Sequence, residues 1–383
     1  MIKSLHIHNF KSFREVNLKL SPFATIIGPN NSGKTNFNKL LIFLRSLSAG
    51  SSVKQLYASD PNILFQGPNT SDSSIIIKIG LELSSNYLYL VQFKTDGTTL
   101  LLEMETLEKD GAVILNNSKG ITKLVASNSQ PETSAALDPD KTALSQLNDI
   151  NQHKDIISVR SFLSGFWSFD LDPAEMRSAT STDKPALFHP RGVDIIDTLL
   201  EFKKNSDAHF RDINKRLCEL IPELEGISLQ KLTNSNIHFL TFKEKKINTS
   251  FFPDSVSDGT LKLLGLLAFI YSPINPSYVF IEEIDKSLHF RRIKDVIELL
   301  KVAVYDKKDS NLKQVILSTH NPYLIDLLSP EELILTEKRN GETIMKNLTD
   351  FEKRLPTIRE FLDEGATLGD LWFRGTLGAV PED

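Results

Sequence analysis

Residues 28–35 have the types and spacing needed to bind the phosphates of a nucleotide. They read Gly-Pro-Asn-Asn-Ser-Gly-Lys-Thr, which fits a phosphate-binding loop without a mismatch. The two glycines let backbone N–H groups point inward, and a following helix adds its positive end. We expect Lys34 to reach the β- and γ-phosphates and the Thr35 hydroxyl to hold Mg²⁺. The predicted nucleotide-binding residues of this loop are Gly28, Pro29, Asn30, Asn31, Ser32, Gly33, Lys34, Thr35 and Asn36.

Two adjacent acids, Glu282 and Glu283, follow the apolar run at residues 278–281. A strand that ends in acids beside a phosphate loop can manage Mg²⁺ and an attacking water. Successive side chains on a strand point to opposite faces, so one carboxylate could face the metal and the other the water. By themselves these acids are also compatible with a solvated acidic turn that includes Asp285.

Two further polar segments border apolar elements. Residues 255–261, Ser-Val-Ser-Asp-Gly-Thr-Leu, precede an apolar helical pattern, and taken alone they are more typical of ordinary helix capping. His320 ends the apolar strand pattern at 314–319 and is followed by Asn-Pro. A lone histidine is more often structural, but at the end of a strand in such a chain it could sense a γ-phosphate.

The elements around these residues indicate a mixed α/β chain. Residues 24–27 have strand character, and apolar residues after the phosphate loop recur at helical spacing. Residues 1–20 predict two strands, and residues 73–116 predict an antiparallel meander with Asp-Gly turns. Residues 117–145 are polar and are interpreted as a mobile connection, and residues 146–226 look helical.

The composition is that of a soluble globular protein of 383 residues, with 40% hydrophobic and 24% charged residues. The net charge of −5 does not indicate nucleic-acid binding, so such a surface would have to be a local patch. The single cysteine, Cys218, excludes an internal disulfide and a multi-cysteine zinc site. The amino terminus lacks the pattern of a signal peptide, and no apolar run approaches the ~18 residues of a membrane span. We therefore expect a cytoplasmic protein without a membrane partner.

The order of these motifs resembles the ATP-binding-cassette (ABC) ATPases of the RecF, SMC and OLD type. It is more closely similar to the stand-alone AAA-family ATPases of bacterial and phage-defence operons. The Phe-Lys-Ser-Phe sequence at residues 10–13, Leu288-His289 and the closing stretch at 368–381 contribute to this resemblance. It implies an ABC-type P-loop NTPase head, with a mixed sheet and an antiparallel meander, at residues 1–120 and 227–383. Residues 121–226 would then be an inserted, mainly helical lobe that begins with a flexible connection.

In the family resembled here, two heads close on two ATP molecules, and the signature segment of one head faces the nucleotide of the other. The implied signature residues are Ser257, Asp258, Gly259 and Thr260. The implied catalytic residues are Lys34, Glu283, which would polarise the attacking water, and the switch histidine His320. Thr35 and Glu282 would bind Mg²⁺, and Lys11 and Arg14 match positions near the nucleotide.

The sequence departs from the family pattern at two places. Glu282 stands where the family usually has Asp, and His289 is followed by Phe290 where His-Pro is usual. We therefore expect ATP binding with hydrolysis that could be slow. The glutamine-containing loop of such ATPases has two candidates, Gln66 and Gln92, and the sequence does not choose between them.

The resemblance implies an ATP-binding and ATP-hydrolysing switch that forms a homodimer or higher oligomer through its heads. No OLD-type nuclease domain follows His320, so we expect a separate effector, a nuclease or a toxin, in anti-phage defence. The alternative is a RecF-like DNA-repair ATPase that binds nucleic acid through basic patches. The candidate patches are Lys203-Lys204, residues 243–246, and Arg291-Arg292 with Lys294. A transporter ATPase and a GTPase are disfavoured by the size of the helical insertion and by the absence of an Asn-Lys-x-Asp sequence.

Overall fold

The computed structural model divides the chain into two compact units, each with its own core. The first comprises Met1–Trp167, Ser277–Phe280 and Leu312–Asp383, and the second comprises Ser168–Pro276 and Ile281–Asn311. The described residues are 1–65, 72–124, 133–150, 152–178, 180–181, 188–235, 237–272, 276–305, 312–350 and 355–378. The predicted limits of an inserted lobe, residues 121 and 226, stay a prediction.

The strands and helices alternate along the chain, as a mixed α/β protein requires. The strands are β1 Ile2–Phe10, β2 Phe13–Lys19, β3 Phe23–Ile27, β4 Ser74–Glu82, β5 Asn86–Thr95, β6 Leu100–Lys109, β7 Ala112–Ser118, β8 Ile121–Leu124, β9 Thr133–Ala136, β10 Phe166–Phe169, β11 Thr180–Ser181, β12 Leu224–Lys231, β13 Ile237–Glu244, β14 Ser250–Phe251, β15 Tyr278–Glu282, β16 Val315–Thr319, β17 Leu333–Arg339 and β18 Glu342–Asn347. The α-helices are α1 Lys34–Ser48, α2 Val53–Ser59, α3 Ala143–Gln146, α4 Lys154–Ser164, α5 Pro173–Met176, α6 Ile195–Asn205, α7 Asp207–Leu220, α8 Asp258–Ile270, α9 Phe290–Tyr305, α10 Pro322–Ile325, α11 Leu355–Asp363 and α12 Leu368–Phe373.

An eight-stranded sheet in the first unit has the order β2-β1-β4-β5-β6-β7-β8-β9. Its strands pair antiparallel, and β4 to β8 follow one another in sequence order, so the predicted meander is confirmed. Gly97 and Gly111 have φ values of 92° and 85° in the two turns. Glycine suits these positions because it adopts positive φ at little steric cost.

A six-stranded sheet carries the phosphate-binding segment and has the order β10-β15-β16-β3-β17-β18. Strand β3 lies between β16 and β17 and is parallel to both. All five residues of β3 and all five of β16 are buried. Continuous apolar runs of this kind are typical of parallel strands that are covered on both faces. The chain therefore has a mixed α/β architecture with a largely parallel sheet around β3.

Helix α1 packs in the core of the first unit through its predicted apolar face. Phe37, Leu40, Leu41 and Leu44 are each at most 1% exposed. The Phe37 ring lies 6.2 Å from the Phe280 ring, between centroids. The side-chain amide of Gln314 bonds to both the N–H and the carbonyl of Ile2, which ties the first strand to the start of β16.

The second unit is built around α8, which is buried from Gly259 to Phe269. Helices α5, α6 and α7 contact it, and a small sheet, β11-β13-β12 with β14 on β13, belongs to the same unit. The Phe269 ring lies 4.1 Å from the Phe169 ring, between centroids. A helix that is apolar on nearly all sides needs such coverage, because an exposed face would leave apolar surface in water.

Two stretches contain more strand than the sequence predicts. Residues 117–145 include β8, β9 and α3, and the stretch 146–226 includes β10 and β11 among its helices. These strands are short, so their hydrophobic alternation is too brief to be distinguished from a loop. Among the described residues, no helix combines the length and apolar character needed to cross a bilayer.

Candidate nucleotide site

The segment Gly28 to Thr35 connects β3 to α1, the strand–loop–helix context that the sequence predicts. Asn31 and Gly33 have positive φ values, 65° and 107°, so the backbone turns sharply before the helix. Gly33 is the N-cap of α1, makes no side-chain cap, and no acidic residue lies in the first helical turn. The positive end of α1 is therefore not neutralised by an acid in its own first turn, and it suits an anion.

Both glycines of the loop are required by close packing in the first unit. A Cβ atom on Gly28 would overlap the backbone oxygen of Thr336, and one on Gly33 would lie 2.5 Å from the Thr343 side chain. The Thr336 hydroxyl also donates to the Ser32 carbonyl at 2.9 Å. The loop therefore rests on β17 and β18, which come from the far end of the sequence.

Lys34 is the principal cation of this loop and is only 6% exposed. Its Nζ donates to the carbonyl oxygens of Gly28 and Pro29, each at 2.8 Å. These bonds hold the ammonium group over the curled backbone. The neighbouring Ser32 hydroxyl is buried and has no hydrogen-bond partner among the residues that the structure describes. A cradle that excludes a Cβ, a held ammonium and an unsatisfied hydroxyl fit the phosphate chain of a nucleotide.

A polar network links the loop's helix to the β1–β2 turn. The Asn36 amide donates to the Ser12 hydroxyl at 2.7 Å, and the Thr343 hydroxyl donates to the same atom at 2.8 Å. Ser12 belongs to the Phe-Lys-Ser-Phe sequence at residues 10–13, but its contact with α1 was not predicted. No motif marks Thr336 or Thr343, because they meet the loop only through strand pairing.

Lys11 and Arg14, predicted near the nucleotide, differ in their surroundings. The Lys11 ammonium group pairs with Asp60. Lys11 itself lies in the β1–β2 turn with a φ of 52°. Arg14 is exposed on β2. The structure thus brings Ser12, between these two residues, into contact with α1. A nucleotide contact from either basic side chain stays a prediction.

His320 lies at the same sheet edge as the phosphate loop. Strands β16 and β3 pair in parallel with Thr319 opposite Ile27, so His320 and Gly28 are the next residues of adjacent strands. His320 is exposed. This placement is compatible with a γ-phosphate sensor, and the assignment itself stays a prediction.

The acids Glu282 and Glu283 do not continue one strand, although the sequence analysis treated them so. Strand β15 ends at Glu282, and Glu283 has a φ of 43°. Because Glu283 is outside the extended region, strand alternation does not set the direction of its side chain. The following loop is turned by bonds from the Lys286 N–H to the Glu283 carbonyl and from the Leu288 N–H to the Asp285 carbonyl.

The predicted signature segment forms the start of α8 in the second unit. Ser257 is the N-cap, and its Oγ accepts from the Thr260 N–H at 3.2 Å. A Cβ on Gly259 would lie 2.6 Å from the Ser287 backbone oxygen. The structure therefore brings the signature segment together with the loop that follows Glu283. Ser287 has a φ of 73°, so this loop is strained where it touches α8.

Helix α8, which begins at the signature segment, carries a buried cation that was not predicted from the sequence. Lys262, on α8, is 7% exposed. Burial lowers its pKa, and the negative charges of Asp170, Asp285 and Glu283 partly oppose that effect. A lysine within an apolar helical run gives no motif. It adds positive charge near the acids of the second unit.

Other predicted features are less informative. Gln66 lies outside the described residues, as do residues 379–381 of the closing stretch. Gln92 is half-buried on β5. No group of three or more His, Cys, Asp or Glu side chains suited to a metal occurs in the part of the chain that the structure describes. Thr35 and Glu282 thus stay predicted Mg²⁺ ligands.

The phosphate loop between a parallel strand and a helix defines the class of P-loop nucleotide-binding proteins. Residues 23–326 match the family described as "AAA domain, putative AbiEii toxin, Type IV TA system". This match covers most of the chain, and the protein belongs to that family. Membership of this family supports the prediction that the protein is an ATP-hydrolysing enzyme.

A relative from Helicobacter pylori (strain ATCC 700392 / 26695) carries the name ATP/GTP phosphatase. It is 24% identical over 348 residues, which cover 86% of this chain and 87% of the relative. The similarity therefore extends well beyond the phosphate loop, through both compact units.

Proposed function

We propose that this ATPase is a nucleotide-dependent switch of the ABC type, in which two chains close on ATP. The observation that carries the proposal is the presence, in one chain, of two different polar segments at helix N-termini. The first is the phosphate loop before α1, and the second is the signature segment before α8. The name of the Helicobacter relative, ATP/GTP phosphatase, agrees with a nucleoside triphosphate as the substrate.

The chain's own residues divide the work as follows in this proposal. The phosphate loop and Lys34 bind the triphosphate, and Thr35 and Glu282 hold Mg²⁺. Bound Mg²⁺ would neutralise charge on the phosphate oxygens. Glu283 accepts a proton from the attacking water, and His320 senses the γ-phosphate.

The proposal is tested with the Glu283→Gln variant. Loss of a general base lowers a rate by about 10²–10⁴-fold, so hydrolysis should fall while ATP binding is retained. Sedimentation should show an ATP-dependent dimer of the variant that does not form with ADP. The control is Glu298→Gln on α9, because Glu298 is an exposed acid whose partner is Lys294 at 3.8 Å. A Glu283→Gln protein that hydrolyses ATP like the parent would refute the assignment of the base.

We further propose that the switch controls a separate effector, a nuclease or a toxin, in anti-phage defence. The family description names a toxin of a type IV toxin–antitoxin system, which supports a link to such effectors. Co-expression with the native neighbouring genes should yield a complex with the effector. Lys34→Ala, which removes the nucleotide contact, is the control for ATP dependence. A chain that stays alone and protects cells by itself would contradict the proposal.

The RecF-like alternative has less support from the basic patches. Lys243 pairs with Glu225 at 2.7 Å, and Arg292 lies 3.3 Å from Asp295. These acids reduce the local positive field that would attract a phosphate backbone. ATP-dependent DNA binding that weakens steeply with salt would nevertheless favour the alternative.

A further inference from the structure

Arg177 binds the segment that leads into the signature helix. Its Nε donates to the Pro253 carbonyl at 3.3 Å, and its Nη2 donates to the Val256 carbonyl at 3.1 Å. The same Nη2 lies 2.6 Å from Oδ1 of Asp258. One guanidinium group thus bonds to three residues around Ser257, and its side chain is only 22% exposed. The planar fork of arginine suits such multiple acceptors better than the single ammonium of lysine.

The backbone of Arg177 is fixed by close packing within the second unit. Arg177 directly follows α5, and Met176, the last residue of α5, is fully buried. A Cβ on Gly265 of α8 would lie 3.0 Å from Cε of Met176 and 3.1 Å from Leu171. Glycine at this position lets α5 approach α8 closely. The backbone of Arg177 is therefore held close to α8, and its side chain bonds to the segment at the N-terminus of that helix.

Asp258 gives this contact an electrostatic consequence. Its carboxylate lies in the first turn of α8, at the end of the helix that would face a triphosphate in the proposed dimer. An unpaired carboxylate there would repel the phosphate charges, because like charges at short range are unfavourable. The guanidinium group compensates that charge, and it also restrains the backbone on both sides of Ser257.

We propose that Arg177 is a positioning residue for the nucleotide bound to the partner chain, acting through the signature segment. It holds residues 253–258 in place and neutralises Asp258. The inference rests on the proposed function, because it assumes that this segment faces a second copy of the chain. Arg177 lies outside the phosphate loop and the signature segment, so the inference assigns a role in the proposed switch to a residue that no motif marks.

The experiment compares Arg177→Ala and Arg177→Lys in the Glu283→Gln background. ATP-dependent association should weaken about tenfold or more for Arg177→Ala, the loss expected for hydrogen bonds to a charged group. ATP affinity of the single chain should change less than about twofold, because the described side-chain bonds of Arg177 go to residues 253–258 of the second unit. Arg177→Lys should be intermediate. Arg177→Ala combined with Asp258→Asn should recover part of the association, since it removes the uncompensated charge.

Arg191→Ala is the matched control. Arg191 pairs with Asp172 and Glu175 around α5, each at 2.8 Å, and no described bond joins it to residues 253–258. Equal loss of association in the two alanine variants, or no recovery with Asp258→Asn, would overturn the role of Arg177. Unchanged association of Arg177→Ala would do so as well.

Hydrogen exchange separates this inference from the function on which it rests. In single chains without nucleotide, Arg177→Ala should speed exchange of the amides at 256–260, whereas Arg191→Ala should not. If the Glu283→Gln parent forms no dimer with ATP, the proposed function fails. The exchange data then still show whether Arg177 holds the segment, and unchanged exchange would overturn that claim.

Discussion

The phosphate loop and the signature segment are both polar turns that begin a helix, but their helix ends are treated differently. Gly33 leaves α1 without a side-chain cap and without an acid in its first turn. At α8, the Ser257 side chain caps the helix, and Asp258 lies in the first turn with Arg177 as its partner. One helix end is thus left to an anion, whereas the other is largely satisfied by its own chain.

This difference indicates how two copies could share the work. The phosphate loop has the held lysine and the uncapped helix end needed to bind a nucleotide by itself. Residues 257–260 contain no lysine or arginine, and the positive charge of the neighbouring Arg177 is balanced by Asp258. We therefore expect the signature segment to contact a triphosphate only after the phosphate loop of another chain has bound it. In the proposed dimer, nucleotide binding would be a property of one chain and closure a property of two.

The largest effect is expected from Lys34→Ala. Removing the ammonium deletes a charged contact to the phosphates, which costs about 3 kcal/mol, or roughly 100-fold in ATP affinity. Titration calorimetry of the single chain measures this loss. Lys39→Ala is the control, since Lys39 is an exposed lysine on the same helix. Full ATP affinity in Lys34→Ala would contradict the assignment of the phosphate loop as the segment that binds ATP in a single chain.

Ser257→Arg tests the other half of the comparison. A bulky cation at the helix N-terminus should block approach of a second chain and reduce ATP-dependent association at least about tenfold. Binding of ATP to a single chain should persist. Ser257→Ala is the comparison variant, because it removes the cap, at about 1 kcal/mol of stability, without adding bulk or charge. Normal association of the arginine variant, measured by sedimentation, would show that this segment does not face a partner.

The smallest effects should come from adding one methyl group to each segment. Gly28→Ala and Gly259→Ala both force a Cβ against a backbone oxygen, and each should cost about 1–3 kcal/mol of stability. Gly28→Ala should also weaken ATP binding by the single chain, whereas Gly259→Ala should impair only association and hydrolysis. Each variant is the control for the other in thermal unfolding and nucleotide titration. Identical profiles would remove the distinction between the two segments.

The sequence predicts local features well because their causes are local. The turn at Asn31 and Gly33, the apolar face of α1 and the turns at Gly97 and Gly111 follow from neighbouring residues. A positive φ at Glu283 was not predicted, since the strand pattern was extended one residue too far. The helix-capping interpretation of Ser257 agrees with the structure and does not exclude contact with a second chain.

The missed residues have distant causes. Thr336 and Thr343 support the phosphate loop because β17 pairs with β3 and β18 with β17. Arg177 reaches the signature segment because Gly265 allows α5 to pack on α8. Neither relation leaves a pattern within a short window of sequence. The assembly of a site from segments between 76 and 331 residues apart is decided by pairing and packing, which one sequence does not display.

The parallel order β16-β3-β17 has a consequence for synthesis of the chain. Strand β3 ends at Ile27, but its two neighbours begin at Val315 and Leu333. During translation the loop that follows β3 emerges early, and the strands that border it emerge much later. Contacts between residues so far apart in sequence form slowly. Until they form, exposed strand edges can associate with other chains. We expect ribosome-bound chains that stop before β16 to be poor nucleotide binders and frequent clients of chaperones.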